Sequence, residues 1–280
     1  MTRTCRVGDI QVGGVRGPVI IAGPCMLESL ELGLEVGTVV RDACRELGLP
    51  FIFKASFDKA NRSSIRSARG PGLARGLEWF GSIKQSLGVP ATTDIHEPSQ
   101  AAPVAEVVDL IQIPAFLCRQ TDLLCAAGEA AASRGRAVNV KKGQFMSPGE
   151  MGGAVRKLAE AGCENVMLTE RGTFFGYGRL VNDFVGLGDL MELPANGGSP
   201  PVCFDCTHST QLPGAGEQTG GRPDRAPLLA RAATAAGVHA LFIECHPEPK
   251  RGMSDSSTML PLGEMRGLLS TIARIREAMA

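Results

Sequence analysis

PVIIAGPCMLESLELGLEVGTVVRDACRELGLPFIFKA, residues 18–55, sets out one complete folding unit. PVIIAG (18–23) and PFIFKA (50–55) are short, continuous apolar runs, the pattern of strands covered on both faces. The stretch between them is long enough, and rich enough in Leu, Glu and Arg, for a crossover helix, which parallel neighbours require. The unit recurs. Further strand-like runs are VPATTD (89–94), VVDLIQI (107–113), AVNVKK (137–142), NVMLTE (165–170), PVCFD (201–205) and ALFIE (240–244). Helix-like segments such as ARGLEWFGSIKQSLG (74–88) and GEMGGAVRKLAEAG (149–162) lie between them and stop at Gly.

Eight such units in 280 residues predict an α/β fold, the (β/α)₈ TIM barrel. The alternating TCRVGDIQVGG, within residues 1–16, predicts a short N-terminal β-hairpin closing the barrel's bottom. No linker interrupts the pattern, so residues 1–280 are expected to form a single domain. A doubly wound sheet would call for a GxGxxG turn after the first strand, and none is present.

Composition narrows the function. A formal net charge of +0 argues against nucleic-acid or membrane-surface partners. No apolar stretch of about 20 residues is present, so no membrane span is expected. The first residues lack a secretory apolar core, which makes the cytoplasm the expected location. Nine cysteines, an odd number placed mostly in apolar runs, read as reduced buried thiols rather than a disulfide framework. Cys203 and Cys206 form a CxxC, but residues three apart on a strand face opposite ways.

The chemistry collects at strand ends. Cys25, His208, Glu244 and Asp255 stand in four separate segments, each at or just past a predicted strand. One thiol, one imidazole and two carboxylates suit a divalent transition metal better than calcium or magnesium. Zinc, iron(II), manganese and cobalt all tolerate the set. Cations crowd the same end: Lys54, Lys59, Arg62, Lys141, Lys142 and Arg171, with Arg119 a little beyond strand four. Lys54, Lys141 and Arg171 touch strand interiors, where an unpaired cation is costly, so they are expected to hold polyanions. Long polar loops at 56–72, 211–225 and 246–258 follow predicted strands and belong to the mouth.

IAGPCMLES, FKASFDKANRSS, TTDIHEPSQ, DLIQIPAFLCRQTDLL, NVKKGQFMSPGEM, ERGTFFGYG, FDCTHSTQLPG and IECHPEP, with SDSSTMLPL after it, resemble the 3-deoxy-D-manno-octulosonate 8-phosphate synthases. These motifs span every predicted strand. KANRS resembles that family rather than the synthases acting on erythrose 4-phosphate, where KPRTS is usual. The resemblance implies condensation of phosphoenolpyruvate with arabinose 5-phosphate. It implies that Lys54, Lys59, Lys141 and Arg171 hold phosphoenolpyruvate, in a pocket shaped by Gln144, Ala115 and Phe116. Asn61, Arg62 and Ser63 would take the pentose phosphate, and Asp94 and His96 would lie at the aldehyde end. Arg119 would reach across a subunit interface of a homotetramer. Cys25 marks the metal-dependent branch, whose metal-free counterpart carries Asn there. Lys54, Lys59, Asp94, His96, His208 and Asp255 make up the expected catalytic set. Gly143, where Pro is frequent, and Cys245 depart from the commoner pattern without removing a role.

Three other readings compete. They are a synthase using erythrose 4-phosphate, a metal-dependent sugar-phosphate hydrolase on the same barrel, and a non-catalytic sugar-phosphate sensor. Asn61 disfavours the first, and two separate anion sites disfavour the second. The full set of mouth residues disfavours the third.

Overall fold

The computed structural model describes residues 1–14, 17–61, 66–213 and 220–279. Arg62 and Ser63, two expected sugar-phosphate ligands, therefore lie outside the described residues, as do 15–16 and 214–219. Eight parallel strands alternate with eight helices: β1 Val19–Gly23, α1 Leu30–Glu46, β2 Phe51–Lys54, α2 Leu73–Leu87, β3 Ala91–Asp94, α3 Ala101–Val107, β4 Leu110–Ile113, α4 Thr121–Arg134, β5 Ala137–Lys141, α5 Gly152–Glu160, β6 Val166–Glu170, α6 Phe184–Met191, β7 Val202–Asp205, α7 Ala226–Ala235, β8 Ala240–His246 and α8 Met265–Met279. Each strand pairs with its successor, and β8 pairs with both β7 and β1, which closes the sheet. The predicted barrel is therefore observed.

Local signals explain the helix ends. Ser29 caps α1 by accepting from Leu32 N at 3.1 Å, and Glu31 follows in the first turn. α2 and α4 stop on Gly88 and Gly135, which take left-handed backbone (φ 64° and 61°). One predicted strand begins too early. VVDLIQI was expected to pair from 107, but Val107 closes α3 and Val108 N still bonds Val104 O at 3.0 Å. Pairing starts only after Asp109, whose carboxylate takes Ala91 N at 3.0 Å and anchors Arg136 and Lys84. An apolar run cannot separate the last helical turn from the strand that follows.

Two apolar layers hold the molecule together. The larger lies between the outward strand residues and the helices and includes Ile20, Phe53, Ile111, Val138, Leu168 and Ile243. The smaller fills the lower barrel with inward residues Val19, Ile21, Ile52, Met167 and Phe242. The N-terminal hairpin, Cys5–Val7 against Ile10–Val12, plugs that end, with Cys5, Val7 and Val12 fully buried in the same cluster. Cys203 belongs to the inner layer and Cys206 to the outer, so the CxxC does face two ways. His239 is structural, its Nδ1 accepting from Val202 N at 2.9 Å.

The plug should contribute measurably. Val12→Ala is expected to cost about 1–3 kcal/mol in urea unfolding, because it opens a gap in a buried cluster. Gln11→Ala, on the exposed face of the same strand, should stay within about 0.5 kcal/mol. Equal effects at the two positions would show that the hairpin does not seal the barrel.

Candidate active site and metal centre

Strand alternation sets the site. Inward residues are apolar at the barrel floor and become polar toward the strands' C-terminal ends: Lys54 on β2, Asp94 on β3, Lys141 on β5, Asp205 on β7 and Glu244 on β8, all buried. Burying these groups is tolerable only if they are paired. Lys54 Nζ donates to Glu244 Oε1 and to the carbonyls of Pro24 and Cys25, at 3.3 and 2.9 Å. Lys141 Nζ donates to Asp205 Oδ2 at 2.6 Å and lies 3.6 Å from the Phe242 ring centroid. Gly23 makes room at β1, where a Cβ would stand 1.9 Å from the Lys54 carbonyl oxygen.

Cys25, Glu244 and Asp255 bring ligand atoms within 4.8 Å of one another. Asp255 reaches this point because Leu260 and Pro261 turn back to pair with Cys245 and His246, folding the loop over the end of β8. Its backbone is left-handed (φ 48°), which Asp tolerates better than most residues. The Cys25 thiol donates to Asp255 Oδ2 at 2.9 Å. Burial first, then Asp255 and Glu244, push that thiol well above its ordinary value, so a thiolate here needs an added cation. The carboxylates behave oppositely. Burial opposes their charge, yet Lys59, His208 and the Cys25 thiol hold Asp255 below the usual range, while Lys54, His208 and Lys59 do so for Glu244. Among the described residues, Glu244 Oε2 is buried without a hydrogen-bond partner. A thiol, two carboxylates held ready as anions and one unsatisfied oxygen fit a divalent transition metal.

His208 stands beside this trio rather than within it, its Nε2 3.7 Å from Glu244 Oε2. Its Nδ1 lies 2.8 Å from Asp205 Oδ2. A carboxylate only accepts, so Nδ1 carries a proton toward Asp205, and Nε2 is the ring nitrogen turned to Glu244. Asp205 also accepts from His208 N at 2.8 Å and Thr207 N at 3.1 Å, and Thr207 Oγ1 accepts from Glu244 N at 2.8 Å. One fully buried carboxylate therefore links the lysine side of the mouth to the metal side. Sequence reasoning missed it. The signal was present, since Asp205 ends an apolar run at the position where the inward face turns polar.

The remaining expected residues divide by location. Lys59 Nζ lies 3.8 Å from Asp255 Oδ2, and its charge is reinforced against burial by Cys25, Asp255 and Glu244. Asp94 Oδ2 meets His96 Nε2 at 3.1 Å. Burial opposes charge on both, but their mutual contact lowers Asp94 and raises His96. Arg171 is buried and donates through Nη2 to His208 O at 3.3 Å and to Gln211 Oε1. Arg171 Nε, Gln144 Oε1, Asp94 Oδ1 and His96 Nδ1 are buried polar atoms without partners among the described residues, which suits them to a polar ligand. Ala115 is buried, whereas Phe116 is 53% exposed. Asn61 is exposed on the mouth loop. Arg119 is also exposed and lines an outer cleft with Arg156 and Lys157, apart from the buried mouth. His246 turns to its own loop, with Nδ1 accepting from Glu248 N at 2.9 Å.

Among the described residues, no helix is long and apolar enough to cross a membrane. The DAHP synthetase I family pattern matches residues 3–280. A 2-dehydro-3-deoxyphosphooctonate aldolase of Nitratidesulfovibrio vulgaris (strain DP4) is 52% identical over 257 residues, 91% of each chain. A protein of the same name from Synechococcus sp. is 49% identical over 277 residues, covering 98% of this chain and 94% of its own. One from Koribacter versatilis is 45% identical over 282 residues, covering 99% and 98%. A barrel with this mouth, matched along nearly its whole length, belongs to the DAHP synthetase I family, on the branch of the 2-dehydro-3-deoxyphosphooctonate aldolases.

Proposed function

We propose that this chain condenses phosphoenolpyruvate with D-arabinose 5-phosphate and water, giving 3-deoxy-D-manno-octulosonate 8-phosphate and phosphate. The observation that carries this reading is the pairing of buried cations with a thiol–carboxylate cluster, on a chain about half identical to aldolases of that name. C3 of the enol phosphate attacks the aldehyde carbon, water adds at C2, and phosphate leaves by C–O cleavage. Two polyanions must be held together against their own repulsion, which is the work of the cations. Lys54, Lys59, Lys141 and Arg171 take phosphoenolpyruvate, with Gln144 and Ala115 lining its pocket. Asn61, Arg62 and Ser63 take the pentose phosphate.

The aldehyde oxygen gains negative charge as the bond forms, and a cation or acid must meet it. Asp94 and His96 lie at that end, where contact with Asp94 raises the His96 pKa against the opposing effect of burial. Cys25, Glu244 and Asp255, with His208 at their edge, would hold a divalent metal, which would supply Lewis-acid stabilisation of developing negative charge. Residues 1–280 act as one cytoplasmic barrel domain that assembles as a homotetramer. Phe116 at 53% exposure and Phe175 and Tyr177 at 98% leave apolar surface for a second copy to cover. Exposed Arg119 is free to reach that copy's sugar phosphate.

The substrate test is direct. Purified protein given phosphoenolpyruvate should release phosphate with arabinose 5-phosphate at least about tenfold faster, in kcat/KM, than with erythrose 4-phosphate, a preference of about 1.4 kcal/mol. The reverse preference would move the chain to the heptulosonate branch. Phosphate release without any sugar would make it a hydrolase. A second expectation concerns Asp205. Asp205→Asn keeps the shape but weakens the orientation of His208, and should lower divalent-metal affinity about 10- to 100-fold against a chelating indicator. Unchanged affinity would remove Asp205 from the metal side of the site.

A further inference from the structure

Lys142 is buried more deeply than its neighbour Lys141, at 1% exposure against 5%, and the reaction gives it nothing to touch. Alternation turns it to the outer side of the barrel wall, away from the mouth. There its ammonium stands 3.3 Å from Glu170 Oε2, itself 4% exposed. Both members of this pair are the immediate chain neighbours of mouth cations, Lys142 of Lys141 and Glu170 of Arg171.

The pair also gathers the two loops that follow. Lys142 Nζ is 3.2 Å from Met146 O, 3.5 Å from Gly143 O and 3.4 Å from Thr173 Oγ1. Glu170 Oε1 accepts from the backbone N–H groups of Arg171 at 2.9 Å and Gly172 at 2.7 Å. Two rungs complete the clamp: Lys142 N to Thr169 O at 2.8 Å, and Phe174 N to Gln144 O at 2.9 Å. The loop carrying Gln144 and the loop carrying Arg171 are therefore fastened to one buried charge pair. A buried ion pair contributes little net stability against an apolar replacement, so stability alone is a weak reason to find one here.

We infer that Lys142 and Glu170 are positioning residues that set the spacing of Lys141, Gln144 and Arg171 around the phosphoenolpyruvate anion. The inference rests on the proposed function for the identity of that anion. Its effect falls on ground-state binding of phosphoenolpyruvate, because the pair adjoins Lys141 and Arg171 at the ends of β5 and β6, whereas Asp94 and His96 stand at the end of β3.

The test compares the intact protein with Glu170→Gln, Lys142→Arg and Lys142→Met. Glu170→Gln keeps an oxygen for the Arg171 and Gly172 N–H groups while removing the charge and the acceptor that faces Lys142. Lys142→Arg keeps the charge. Titration calorimetry with phosphoenolpyruvate is expected to show affinity weakened about tenfold or more in Glu170→Gln and Lys142→Met, since small misplacements of binding groups carry penalties of that size. KM for phosphoenolpyruvate should rise in parallel, KM for arabinose 5-phosphate should stay within about twofold, and Lys142→Arg should recover most of the loss. Should Lys142→Met fail to fold, Glu170→Gln and Lys142→Arg still decide the matter. A lowered melting temperature with unchanged phosphoenolpyruvate affinity would overturn the inference and leave a purely structural pair. An intact protein that binds no phosphoenolpyruvate would instead overturn the proposed function.

Discussion

Everything at the mouth depends on ion pairs that span alternate strands of a closed barrel. Lys54 and Glu244 join β2 to β8 past β1, and Lys141 and Asp205 join β5 to β7 past β6. Closure turns the inward faces of all these strands toward one interior, so both pairs meet at the same mouth. Both ammonium groups lie over the single ring of Phe242, which separates them from the apolar floor. Removing one member of such a pair costs about 3–5 kcal/mol, far more than the pair is worth intact, so each charge obliges the other.

That obligation prepares the chemistry. The lysines keep Glu244 and Asp255 charged in a place where burial favours protonation, which leaves two anions ready for a divalent cation. Cys25 differs. Burial and the neighbouring carboxylates favour its thiol form, and a divalent cation would have to take the place of its proton. Asp205 spends one oxygen on both Lys141 and His208, so the lysine side and the thiol–carboxylate side of the mouth share a support. Around this interior the apolar work is ordinary: a helix-facing layer, and a floor sealed by the N-terminal hairpin.

Much of this was legible in the residues. Apolar runs separated by helix-length segments stopping at Gly give the barrel, because a parallel strand covered on both faces must read as continuous hydrophobicity. Cys25, Glu244 and Asp255 are brought together as their strand-end positions imply. Other features were hidden for physical reasons. Val107 looks like strand and finishes α3, since the last helical turn and a buried strand are equally apolar. Asp205 and the Lys142–Glu170 pair were overlooked because their roles are relational. A carboxylate that orients a histidine, or a charge behind the barrel wall, shows itself only once both partners are in place. His208 was read as an equal member of the ligand set, and the structure seats it at the edge, held by Asp205.

The claim that binds these parts is that the thiol–carboxylate cluster is a working metal centre. The most direct measurement is the turnover of phosphoenolpyruvate with arabinose 5-phosphate by protein stripped of metal, with bound metal quantified in the same sample as a divalent ion is returned. Stripped protein is expected to show negligible turnover, with recovery that rises in proportion to bound metal and saturates near one ion per chain. Full turnover in protein shown to be free of metal would contradict it.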